Sequence, residues 1–69
     1  MEPLVTKNGM QIKLVKAYEM DEPDAHRVEL WMKTGQIFRI GPDYWDTREN
    51  AYHYARLFRD ALDSAAGPA

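Results

Sequence analysis

The strongest constraint on the fold is an apolar alternation that runs into a glycine turn in mid-chain. Between residues 27 and 33, apolar side chains from Val28 to Met32 occupy every second position, and mostly charged ones lie between them. A period of two is typical of a strand with one buried face. A second short segment, rich in apolar residues, follows at residues 36–40. Together the two segments predict an antiparallel β-hairpin.

The length of the turn in this hairpin decides which side chains are buried. A two-residue loop at Thr34 and Gly35 would place Arg39 on the same face as Leu30. A three-residue loop at 33–35, whose glycine takes a positive φ, would pair Leu30 with Phe38 instead. We favour the three-residue loop because it makes one face apolar throughout. A slip of one residue would move every side chain to the opposite face.

The same register predicts the composition of the other face. It sets Glu29 opposite Arg39 as a solvent-side ion pair, and Trp31 opposite Ile37. No segment of the chain remains to cover this face, and contiguous exposed apolar surface usually marks an interface. The alternative is a lone tryptophan that packs along lysine and arginine stems. The candidate interface residues are Trp31, Ile37, Val15, Glu29 and Arg39.

The segments before this hairpin predict further strands. Residues 3–7 are a candidate edge strand, and the sequence does not decide whether this strand forms. Asn8 and Gly9 follow as a two-residue hairpin turn. Residues 10–20 predict a longer strand with Tyr18 on the core side. A charged loop containing Pro23 then leads into the central hairpin.

The segment after the central hairpin predicts one helix. Residues 41–45 form a turn, and Asp46 or Thr47 then caps a helix that ends near residue 65. Asp46 and Glu49 have the spacing of a capping box. One stripe at helical spacing is apolar, and it consists of Ala51, Tyr54, Ala55, Phe58, Ala61, Leu62 and Ala65.

The expected architecture is therefore a two-layer α+β domain. An antiparallel sheet of three to four strands carries one C-terminal helix on one face. We expect a single domain over residues 1–69, with loose ends at 1–3 and 66–69 and a helix at about 47–65.

The inventory of reactive side chains disfavours an enzyme. The 69 residues contain no cysteine, a single serine, Ser64, and two histidines, His26 and His53. A Ser–His–acid arrangement needs three groups in mutual hydrogen-bond reach, and nothing in their spacing indicates one. The acidic residues near His26 lack the spaced ligands and central glycine of an EF-hand. We expect no catalytic residue, no metal site and no cofactor.

Composition also bears on location and partners. A cysteine-free chain fits a reducing compartment, so we expect the protein to be cytoplasmic. No stretch approaches the ~20 apolar residues that span a bilayer, and we expect no membrane association. The net charge of −2 makes nucleic acid a less favoured partner than protein.

Two charged clusters are further candidate sites. The acidic loop can steer a basic protein partner or imitate a phosphate backbone, or it is simply a solvated turn; it comprises Glu19, Asp21, Glu22 and Asp24. The helix exterior patch suits a protein interface or phosphate contacts; it comprises Arg48, Tyr52, Arg56 and Arg59. The alternative for this patch is an ordinary solvent-exposed helix face with i,i+4 ion pairs between Arg56 and Asp60 and between Arg59 and Asp63.

The segment from Asp46 through Ala55 is similar to the strand-to-helix junction of small β–α modules. Such junctions occur in the arm-binding domains of tyrosine integrases and in partial-fold antitoxins of the HicB type. The resemblance implies DNA binding as an alternative function, and it transfers no functional residue. In size and charge the chain is also similar to phage-encoded inhibitors of bacterial defence systems, an analogy that carries no residues.

These observations predict a non-enzymatic protein-binding module, an inhibitor or regulator that forms a homodimer through the sheet face. The alternative is a small DNA-binding accessory or antitoxin-like protein that uses the sheet face or the helix exterior patch.

Overall fold

The computed structural model describes residues 4–67 as a four-stranded antiparallel sheet with one C-terminal helix, which confirms the predicted α+β class. Strand order in the sheet follows the chain, β1-β2-β3-β4. The elements are β1 (Leu4–Val5), β2 (Gln11–Lys16), β3 (His26–Trp31), β4 (Ile37–Trp45) and α1 (Arg48–Ala65). Of the predicted loose ends, 1–3 and 68–69 lie outside the described residues.

The central hairpin has the predicted three-residue loop. Leu30 lies opposite Phe38, and the neighbouring pairs place Glu29 against Arg39 and Trp31 against Ile37. The Met32 N–H donates to the Gln36 carbonyl at 2.9 Å, which closes the loop at 33–35. Gly35 has φ +96°, a conformation that glycine adopts without steric cost.

The N-terminal hairpin has the same turn, so its predicted two-residue loop is wrong. The Thr6 N–H donates to the Met10 carbonyl at 2.9 Å, and the loop comprises residues 7–9. The Met10 N–H also donates to the Thr6 hydroxyl at 3.0 Å, which fixes this longer turn. As a result Leu4 lies opposite Ile12, and both side chains enter the core.

The second strand is shorter than predicted. It ends at Lys16, and the chain turns just beyond it, where the Met20 N–H donates to the Ala17 carbonyl at 3.2 Å. Tyr18 therefore lies in the loop with 85% of its surface exposed, and not in the core as expected.

The fourth strand is longer than predicted. Residues 41–45 continue β4 through an irregularity in the register, and Trp45 pairs with His26. Gly41 has φ +78° at this point, which bends the strand without ending it. The Trp45 ring then packs on Tyr54 of the helix with ring centroids 4.5 Å apart. The predicted turn at 41–45 is wrong because this long-range packing holds the segment on the sheet.

The helix begins after Thr47, one of the two predicted caps. The Thr47 hydroxyl accepts the Asn50 N–H at 3.1 Å, whereas Asp46 lies outside the cap. The predicted stripe is fully buried in its N-terminal part, with Ala51 and Ala55 at 0% exposure. Their small side chains let the helix lie close to the sheet.

The core sits between the helix and the inner face of the sheet. Its buried members come from all four strands and the helix: Leu4, Ile12, Val28, Ile40, Ala51 and Ala55. Tyr54, Phe58 and Leu62 pack against it, while Ala61 and Ala65 of the predicted stripe are exposed. Phe38, expected in the core, is 50% exposed because β4 is an edge strand.

Candidate protein interface

On the face of the sheet opposite the helix, one row of paired residues crosses every strand and is apolar in β1, β3 and β4. Its four residues are direct cross-strand neighbours, and we call them the outer row: Val5, Gln11, Trp31 and Ile37. Val5 is 46% exposed and Ile37 is 48% exposed. The predicted pairing of Trp31 with Ile37 is confirmed, and the row extends further than the sequence indicated.

Trp31 is half-buried by its own neighbours on this face. The Lys13 ammonium lies 4.0 Å from the centroid of the indole ring, a cation–π contact. The indole N–H donates to Glu29 Oε1 at 3.1 Å. Thus the tryptophan does pack along a lysine stem, and it also borders the exposed Ile37. These two contacts hold the ring in one orientation.

The predicted ion pair between Glu29 and Arg39 does not form, although the two residues are cross-strand neighbours. The Glu29 carboxylate instead accepts the Trp31 indole N–H. Arg39 Nη1 lies 3.9 Å from Asp43 Oδ1, four residues along the same strand. A regular strand would hold these two residues about 13 Å apart, and the irregularity in β4 brings them together. Sequence spacing alone did not reveal this contact.

The far end of the outer face is polar. Val15 lies there opposite Arg27, four residues along β2 from the outer row, so it does not extend that row. Arg27 forms an ion pair with Glu19 and donates from Nε to the Asp43 carbonyl at 3.1 Å. Both arginines on this face thus have carboxylates beside them.

The structure divides the acidic loop into two kinds of residue. Asp24 Oδ2 accepts the backbone N–H of Arg48 at 3.0 Å, which ties the loop to the start of the helix. Asp24 also receives a hydrogen bond from His26 Nδ1 through its carbonyl, at 2.8 Å. Glu19 is engaged by Arg27. Asp21 and Glu22 are exposed.

Replacement of Asp24 by alanine should therefore lower the free energy of unfolding by about 1–2 kcal/mol, since a helix N-terminal N–H loses its acceptor. Asp21→Ala, in the same loop and of the same charge, is the matched control and should change it by less than about 0.5 kcal/mol. Urea denaturation of both variants measures the difference. Equal losses would show that the link from the loop to the helix contributes nothing.

The helix exterior patch is not one continuous solvent face. Tyr52 is partly buried and packs against the core, because it lies on the flank of the helix and its ring reaches toward the sheet. The Arg56 guanidinium lies 6.0 Å from the centre of the Tyr52 ring. Arg48 is exposed at the first turn.

The two i,i+4 ion pairs predicted on the helix are replaced by other contacts. Arg59 Nε donates to Asp60 Oδ1 at 3.0 Å, so these neighbouring residues pair with each other. Asp63 Oδ1 accepts the Lys7 backbone N–H at 2.8 Å and joins the end of the helix to the N-terminal hairpin. Among these residues, Arg48 and Arg56 remain the exposed arginines.

Within residues 4–67, no three histidine, aspartate or glutamate side chains lie close enough together to share a metal ion. In that same range, the helix does not combine the length and the apolar character needed to cross a membrane.

The class that the fold defines is a small α+β domain with one sheet face covered by a helix and the other uncovered by any element of residues 4–67. Comparison with protein-family models, with curated proteins and with solved structures gives no match.

Proposed function

We propose that this protein is a non-enzymatic protein-binding module, an inhibitor or regulator, whose contact surface is centred on the outer row. The observation that carries the proposal is the position of Trp31 and Ile37 on a sheet face that no described element covers. Tryptophan is among the residues most enriched at the energetic centre of protein interfaces.

The surroundings of the outer row have the anatomy of a protein interface. An apolar centre is bordered by a row of polar side chains, Lys13, Glu29 and Arg39, as in interfaces with an apolar core and a polar rim. Lys13 and Glu29 already fix the indole ring of Trp31, so little side-chain entropy is lost when a partner binds.

Charge supports protein over nucleic acid as the partner. Arg27 and Arg39 each lie beside a carboxylate, which reduces the positive potential that phosphate contacts require. The net charge of −2 and the exposed carboxylates of Asp21 and Glu22 favour a basic protein partner. The cysteine-free composition supports a cytoplasmic setting for the interaction.

The test compares three immobilised proteins in a capture from cells of the native host: the parent, Trp31→Glu and Tyr18→Glu. Trp31→Glu puts a charge at the centre of the outer row, whereas Tyr18→Glu puts the same charge in an exposed loop. We expect the parent and Tyr18→Glu to capture the same protein, and Trp31→Glu to lose it while its circular dichroism spectrum stays unchanged.

Two results would contradict the proposal. The first is capture of the same partner by Trp31→Glu at the parent level. The second is binding of the parent to random duplex DNA with an affinity that falls steeply as salt is added, which is the behaviour of phosphate contacts and of the DNA-binding alternative.

A further inference from the structure

We infer that the open edge of β4 docks a second copy of this chain in antiparallel orientation, so that two sheets join into one. The homodimer predicted from the sequence used the outer row. Edge pairing instead leaves that row free for another protein, and it stands independently of the proposed function.

The edge of β4 is long and unpaired. It is the last strand of the sheet, it has 9 residues, and nothing else in residues 4–67 pairs with its outer side. Met32 and Gln36 form a hydrogen-bonded pair at the start of the hairpin. Because such pairs alternate along an antiparallel ladder, Ile37 and Arg39 direct their N–H and C=O groups away from β3. An exposed row of this kind is a template for another strand.

Exposed apolar side chains concentrate beside this edge. Of the five large apolar side chains that are exposed within residues 4–67, two belong to this strand. Ile37 is on the outer face and Phe38, 50% exposed, is on the helix side. Leu57, 54% exposed, lies three residues after Tyr54 and therefore on the same flank of the helix. Tyr54 packs on Trp45 of β4, so this flank faces the strand. Both sides of the edge are therefore apolar.

Charge and side-chain type select one register for two copies of β4. A two-fold axis at Arg39 would set two guanidinium groups directly opposite each other, which is destabilising. An axis at Phe38 pairs the two Phe38 rings on the helix side and sets Ile37 opposite Arg39 of the second copy. Beyond each end of the paired segment, this register directs the exposed Lys33 of one copy toward the end of the other copy that carries the exposed Asp43.

The same strand limits the pairing to a closed dimer. Pro42 has no N–H, and Gly41 bends the strand at φ +78°, so pairing is confined to residues 36–40. At the other edge of the sheet, the described part of the chain contributes 2 residues, Leu4–Val5 of β1. A two-fold contact through β4 is self-complementary and does not propagate into a filament.

The experiment uses the absence of native cysteine to probe the register directly. Phe38→Cys should form a disulfide-linked dimer under mild oxidation, because directly opposed residues have Cβ atoms about 4.5–5.5 Å apart, close to disulfide geometry. Ile37→Cys is the matched control on the same strand. In this register the two thiols introduced by Ile37→Cys would be diagonal, roughly 7–8 Å apart, and should remain reduced.

Sedimentation equilibrium at millimolar concentration supplies the second readout. We expect twice the monomer mass for the parent and for Trp31→Glu, and the monomer mass for Leu57→Glu, which adds a charge beside the edge. A monomeric parent would overturn the inference, as would a dimeric Leu57→Glu. Faster cross-linking of Ile37→Cys than of Phe38→Cys would overturn it too, because it would place the contact on the outer face. The result for Trp31→Glu separates this inference from the proposed function. The inference expects this variant to remain a dimer, whereas the proposed function expects it to lose the captured protein.

Discussion

Replacement of Ile12 by alanine should lower the free energy of unfolding by about 2–5 kcal/mol. Ile12 is 4% exposed and lies in the core row between Leu4 and Leu30. Truncation removes buried apolar surface and leaves a cavity that the helix above cannot fully close. A single core in a chain of this size supplies only a few kcal/mol, so most molecules should be unfolded at moderate temperature.

Ile37→Ala is the matched control for this prediction, because it makes the same chemical change in the same sheet. Ile37 is 48% exposed on the outer row, so we expect a loss of only about 0.5–1 kcal/mol. Urea denaturation at low protein concentration, where association contributes little, measures both values. Equal losses would mean that the outer face is as buried as the core and that the two faces of the sheet are assigned wrongly.

Gly41→Ala is the second substitution with a large expected effect, a loss of about 2–3 kcal/mol. An alanine at φ +78° costs about 1–2 kcal/mol in backbone strain. The added Cβ would also lie 3.2 Å from Trp45 and 3.3 Å from Tyr54, the ring pair that holds β4 against the helix. Overpacking of this kind adds to the strain.

Gly35→Ala separates the two contributions at Gly41. Gly35 has φ +96°, but an added Cβ would meet nothing within 4 Å. We expect it to cost about 1–2 kcal/mol, from backbone strain alone. Thermal unfolding of both variants gives the comparison. If Gly35→Ala lowers the free energy of unfolding as much as Gly41→Ala does, then the packing of Trp45 on Tyr54 is not what holds the end of β4 against the helix.

The parts of the fold that the sequence predicted are those set by local chemistry. The central hairpin follows from the alternation around Val28 and from a glycine at the one loop position that needs a positive φ. The helix follows from an apolar stripe and a capping side chain, Thr47.

The continuation of β4 could not be predicted in this way. Gly41 followed by Pro42 has the local chemistry of a turn, and only the packing of Trp45 on Tyr54 keeps the segment in the sheet. The links from Asp24 to Arg48 and from Lys7 to Asp63 join residues far apart in the chain, so no local pattern indicates them.

One additional residue in the turn of the N-terminal hairpin explains why the sequence did not place Val5 in the candidate interface. With a two-residue loop at Asn8 and Gly9, Val5 would pair with Ile12 and enter the core. The observed three-residue loop pairs Val5 with Gln11 and moves it to the outer row. The outer row therefore carries apolar side chains on three strands, with the polar Gln11 between Val5 and Trp31, instead of on the two strands that the central hairpin predicted.

The most direct test of the outer row as the contact surface is the indole N–H spectrum of the protein during titration with its captured partner. The chain has two tryptophans and hence two indole signals. Trp31 lies on the outer row, and Trp45 packs on Tyr54 on the helix side of the sheet. We expect the Trp31 signal to shift or broaden as the partner is added while the Trp45 signal stays in place. A shift of Trp45 with an unchanged Trp31 would contradict the assignment of the outer row as the contact surface.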